Sequence, residues 1–197
     1  MLFRSIETAC KSIPMRDTID GYFETKSFCA TLANSVSMDM SLSAGYGNNL
    51  TPLELQPTEE QMAEVFRQEI SQGRLKKQST LDLNQPPCGA GRKSLCIGPD
   101  GNIYPCTGFP YPLGNIRHDE LPDVWRKGST GSGFLATWRQ ITIADFDKCG
   151  SHDYCDYCPE VCAGAAWLAT GNYRAASQSS CRQARAYQMA FMLAETP

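Results

Sequence analysis

The sequence predicts an α+β protein in which a small β-hairpin and several helices gather around cysteine-held metal. Three observations lead there. Ten cysteines occur in 197 residues, and eight of them, from Cys88 to Cys181, lie in the last 110. Hydrophobic spacing before residue 80 is mostly helical. Between Ser94 and Cys106 two short β-prone runs flank a Pro-Asp-Gly turn.

A chain of this length is one ordinary domain or two small ones and can bury a core without crosslinks. Lys and Arg number 18 against 21 Asp and Glu, a net charge of -3. That balance offers no basic surface, so neither nucleic acid nor an anionic membrane is an expected partner. No apolar run approaches the roughly 18 to 20 residues that span a bilayer. Met1-Leu2-Phe3-Arg4-Ser5-Ile6-Glu7 also lacks the pattern of a signal peptide. A cytoplasmic location is therefore expected, where clustered thiols are metal ligands more often than disulfides.

Taken in order, Ile6, Ala9, Cys10 and Ile13 have helical spacing, and Pro14 ends the run. A second amphipathic helix is expected from Asp17 to Asn34, with Ile19, Tyr22, Phe23, Cys29 and Leu32 on one face. Cys10, Cys29 and the aromatics Phe23, Phe28 and Phe66 are read as packing residues. Val36 to Leu42 alternates as a half-buried strand, and Gly45 to Asn49 is a turn. Thr58 to Gln61 is a capping box, followed by the buried stripe Met62, Val65, Phe66 and Ile70, with Gly73 as the stop. Leu81 to Pro87 reads as an extended linker because each proline biases its predecessor away from helix. Two domains result, 1–80 and 81–197. Gly128 to Gly133 is expected to be a flexible loop before a helix carrying Phe134, Leu135, Trp138 and Ile141.

The cysteine spacing points to chemistry. Cys88 is followed by twelve residues, Gly101, four residues and Cys106. Cys149 is followed after five residues by Cys155, after two by Cys158 and after three by Cys162, with Cys181 eighteen further on. Gaps of two and three residues let thiolates converge on one centre. Zinc sites favour ligands in close pairs, and the first set has none, so spacing favours iron–sulfur over zinc. A non-enzymatic zinc-binding interaction module remains the alternative.

Cys-x12-Gly-x4-Cys, a compact cluster and a distal cysteine together resemble the SPASM auxiliary domain of radical S-adenosylmethionine (radical SAM) enzymes. Its pattern runs C-x9-15-G-x4-C, C-x2-C-x5-C-x3-C and a final C. Cys88-Gly89-Ala90-Gly91, Leu113 to Arg117 with Leu121 to Trp125, and Cys162 to Asn172 match it too. The resemblance covers about 85–190. It implies [4Fe–4S] clusters, one or two in number: one on Cys88, Cys106 and Cys162, the other on Cys149, Cys158, Cys181 and either Cys155 or His152. The family's second cluster position falls on His152, but Cys155 is the stronger donor and is favoured. The first set is one ligand short, so either Cys96 bends in or an iron stays open; Cys96 is read as a structural thiol.

Residues 1–80 resemble, more weakly, the end of the partial (β/α) barrel that precedes SPASM domains. The C-x3-C-x2-C loop that binds S-adenosylmethionine occurs nowhere in the sequence. The chain is therefore expected to be part of a longer, peptide- or protein-modifying enzyme and inactive alone. S-adenosylmethionine, the peptide or protein substrate and an electron donor belong to that intact parent. No catalytic residue is assigned, and His118, beside Asp119 and Glu120, reads as an exposed turn residue.

Overall fold

Two apolar cores organise the chain, and the last helix belongs to the first of them. The structure is a computed structural model that describes residues 7–77, 80–128, 131 and 133–195. Strand β1 (Ala9–Ser12), helix α1 (Tyr22–Leu32) and strand β2 (Ser35–Met38) form a β-α-β unit whose two strands pair in parallel, Cys10 opposite Val36. Helix α2 (Thr51–Glu54) is one turn, with Pro52 in its first turn. Helix α3 (Glu59–Ser71) begins at a complete capping box: Gln61 N–H donates to Thr58 Oγ1, and Thr58 N–H donates to Gln61 Oε1. Gly73, at φ +67°, ends it.

The segment Ala9–Ser12 is a strand, not the expected helix. Its apolar spacing fits both periods over so short a run, and pairing with β2 decides between them. Helix α1 starts at Tyr22 after a 3-10 turn, Ile19–Gly21, rather than at Asp17. Phe28 and Leu32 are 62% and 63% exposed, so neither is the core residue its spacing suggested. The strand expected over Val36 to Leu42 stops at Met38.

The hairpin forms as read. Strands β3 (Cys96–Ile97) and β4 (Asn102–Tyr104) pair antiparallel, and β5 (Gly114–Asn115) adds a third strand beside β4. Gly101 takes φ +84° and donates its N–H to Gly98, which closes the turn. Helices α4 (Leu121–Lys127), α5 (Gly133–Gln140), α6 (Ala163–Thr170) and α7 (Gln178–Glu195) complete the chain. The expected loop at Gly128 to Gly133 includes Ser129, Thr130 and Ser132, which lie outside the described residues.

The first core joins Ile19, Tyr22, Met62, Val65 and Phe66 to Ala186 and Ala190 of α7, with Phe66 stacked on Tyr187 at 3.9 Å between centroids. The second holds Phe109, Leu135, Trp138, Ile141, Phe146 and Val161, and Leu81 and Leu83 pack against it. The 81–87 segment is tied down, because Ile143 and Ala144 donate N–H to the carbonyls of Gln85 and Leu83. The mixed helices and small sheets are those of an α+β fold, and among the described residues no closed barrel forms. No described helix is long and apolar enough to cross a membrane.

Candidate metal centre

Cys149, Cys155, Cys158 and Cys181 line one cavity of about 50 Å³, walled by Leu81, Tyr154, Ala176 and Ala184. Local backbone geometry delivers each thiol. Lys148 and Gly150 take positive φ, 63° and 76°, and turn the chain around Cys149. A β-carbon on Gly150 would stand 2.8 Å from Leu83, so only glycine fits there. Cys155 sits in a 3-10 turn, Asp153–Tyr157, and Cys158 caps it by donating N–H to the Cys155 carbonyl. Cys181 arrives from the first turn of α7. One turn later Arg185 pairs with Glu59 at 2.6 Å and lies 5.3 Å from the Tyr154 ring centroid, which ties α7 to α3 and to the cysteine loop.

Burial, reinforced by the charges of neighbouring cysteines, pushes the Cys149 thiol up to about 11 and Cys158 up to about 12. Burial also raises Cys181. Such thiols ionise at neutral pH only if a cation replaces the proton. Among the described residues no three His, Cys, Asp or Glu side chains converge tightly enough for one ion. Tetrahedral zinc, with Zn–S of about 2.3 Å, would draw its sulfurs to within about 3.8 Å of one another. Thiols spread around a shared cavity suit a polynuclear iron–sulfur core, in which each thiolate binds its own iron.

A second group forms from Cys88, Cys106 and Cys162. The Cys162 thiol feels the charges of both others, and burial is the main force that pushes it up to about 11. Cys88 is exposed at the edge of this group, and its thiol is raised by desolvation from the surrounding chain, with Cys106 adding to the shift. The approach of α6 to the loop bearing Cys106 depends on a glycine. Gly164 packs so tightly on the 106–109 loop that a β-carbon there would lie 2.0 Å from the Gly108 carbonyl oxygen. Cys162 Sγ accepts from Ala165 N–H at 3.4 Å at the start of α6, and Cys106 Sγ accepts from Gly108 N–H at 3.2 Å.

The loop bearing Cys88 is clamped by the second core. Gly91 takes φ +64° and donates N–H to both Ser94 and Pro105 carbonyls. Trp138 Nε1–H donates to the Ala90 carbonyl at 2.5 Å, and Arg139 Nε–H to that of Gly91 at 2.9 Å. Arg92 donates to the carbonyls of Trp138 and Ile141, the latter at 2.8 Å.

His152 is exposed and stacks on Tyr154, while Cys155 is the buried residue facing the cavity. Cys96 sits on β3 opposite Tyr104, outside both groups as the structure draws them. His118 is exposed in a turn. Cys10 and Cys29, read singly as packing residues, lie near one another on β1 and α1, and Cys10 raises the Cys29 thiol. Spacing of cysteines alone did not reveal Arg92, Gly164 or Glu160. The charge of Glu160, an exposed residue, helps raise the Cys88 and Cys162 thiols, and its own carboxyl is raised by desolvation foremost, then Asp39. Their positions beside quoted motif cysteines were the available signal.

Residues 88–162 match the family model SPASM, an iron-sulfur cluster-binding domain. A stretch of 74 residues is 35% identical to the antilisterial bacteriocin subtilosin biosynthesis protein AlbA of Bacillus subtilis (strain 168). That match covers 36% of this chain and 16% of the relative, so the chain spans a small part of the length of the protein it resembles.

Proposed function

Because residues 88–162 are a SPASM iron–sulfur cluster-binding domain, we propose that this chain holds two [4Fe–4S] clusters as the auxiliary portion of a radical SAM enzyme that modifies a peptide or protein. One cluster is assigned to Cys149, Cys155, Cys158 and Cys181, the other to Cys88, Cys106 and Cys162. The observation that carries the reading is the separation of seven cysteines into these two groups, one around a cavity and one at the α6 start. The peptide class rests on the similarity to a protein named for the biosynthesis of a bacteriocin.

When bound, the clusters would supply one-electron transfer or an iron position for substrate. The chain's own residues partly bury them and fix the thiols. Backbone N–H donors at Gly108 and Ala165 point at the sulfurs of Cys106 and Cys162, and the Ala165 bond favours the Cys162 thiolate. S-adenosylmethionine and the electron donor are assigned to the intact enzyme, with a cytoplasmic setting. The zinc-module alternative fits less well, since no described donors converge on a single ion.

Anaerobic reconstitution followed by iron, sulfide and zinc assays tests this. Broad visible absorption with about eight irons per chain is expected from two four-iron clusters. Cys158→Ala should lose about half of that iron; unchanged iron would contradict the ligand assignment. A colourless protein with stoichiometric zinc would establish the rival.

A further inference from the structure

The three-cysteine group has a cation built against it that answers to no carboxylate. Arg92 lies four residues after Cys88, part-buried, with its guanidinium 4.4 Å from the Trp138 ring centroid. Its terminal nitrogens are spent on carbonyls of Cys88, Trp138 and Ile141. No described salt bridge includes it. The charged groups that bear on it are Cys88 and a second cation, Arg139. Its Nε–H is buried and has no hydrogen-bond partner among the described residues.

A part-buried cation lacking a counter-ion and a buried donor lacking an acceptor both cost stability unless an anion arrives. The thiol beside it supplies one only after ionising, as metal binding requires.

We propose that Arg92 is a positioning and charge-compensating residue for the three-cysteine cluster: it pins the Cys88 loop through backbone carbonyls and sets its cation, with the free Nε–H, on the Cys88 side of the cluster. The inference rests on the cluster reading. Adding an electron makes a cluster more negative, so a fixed neighbouring cation favours the reduced form and raises the potential. The four-cysteine cluster has its own cations, Lys148 and Arg185, near Cys181 and should not respond to Arg92.

The test is an EPR-monitored redox titration of the reconstituted chain, with iron per chain measured alongside. In Arg92→Gln the three-cysteine cluster should become harder to reduce, by about tenfold in the reduced-to-oxidised ratio at fixed ambient potential. That is about 59 mV for one electron. Arg92→Lys, which keeps the charge, should recover most of the shift, and the other cluster should not move.

An unchanged potential in Arg92→Gln, or an equal fall in Arg92→Lys, would overturn the proposal. If Arg92→Gln fails to assemble the three-cysteine cluster, Arg92→Lys decides: assembly supports the need for a cation, and failure overturns it. A wild-type chain that takes up no iron and sulfide defeats the cluster reading itself, an outcome distinct from iron-loaded variants that ignore Arg92.

Discussion

The junction between α6 and the 106–109 loop can be tested with one methyl group. At Gly164 a β-carbon would meet Gly108 O at 2.0 Å, Gly108 C at 2.6 Å and Phe109 N at 3.0 Å. All three are backbone atoms, so no side chain can rotate aside. Relieving the clash requires α6 and the loop to separate by more than roughly 1 Å, given ordinary contact distances of about 3.5 Å. That movement carries Cys162, which starts the helix, away from Cys106, which starts the loop.

Overpacking of this kind costs about 1–3 kcal/mol, which for a chain this size lowers Tm by roughly 2–12 °C. Gly164→Ala should therefore melt earlier by circular dichroism. On reconstitution it should keep the iron of the four-cysteine group and lose that of the other. Gly21→Ala is the control, because its nearest neighbour would be Thr25 Oγ1 at 3.9 Å, an ordinary contact. Full iron at both centres with wild-type melting in Gly164→Ala would refute the argument that this glycine brings the thiols together.

Two further outcomes concern the first core. Thr58→Ala removes the α3 capping box and should lower stability by about 1 kcal/mol, read as a drop in Tm of roughly 2–4 °C. Glu69 gives a pH-dependent prediction. Burial pushes its carboxyl up, but hydrogen bonds and charge from Arg74 and Lys26, each at 2.7 Å, outweigh that and hold it below the usual range. A lowered folded pKa contributes stability that is complete above the unfolded value of about 4.3 and is lost as pH falls through the folded one. Glu69→Gln should thus melt below wild type at pH 7, and the two curves should converge under roughly pH 4. A Tm gap independent of pH would show that the ion pairs are not its source.

Several parts of this protein could be read before any coordinates. The α3 box was legible because its donors and acceptors lie three residues apart, and the hairpin because Pro99, Asp100 and Gly101 specify their own dihedrals. Both are local. The strand Ala9–Ser12 was not legible, since its partner lies 26 residues away and four residues cannot distinguish a period of 3.6 from a period of 2. Exposure of Phe28 and Leu32 was hidden for a related reason: the width of a buried face is set by what packs on it.

By itself the sequence determined which residues carry donor sulfur, how far apart along the chain they lie, and that they follow a SPASM pattern, because ligand chemistry and short-range turns are properties of residue type and spacing. Only the tertiary structure decided that Cys155 rather than His152 faces the cavity, that α7 brings Cys181 to it while closing the first core, and that Gly164 lets α6 close on the loop after Cys106. Those are matters of side-chain direction and close approach between segments far apart in sequence. No local preference of the backbone encodes them; packing does.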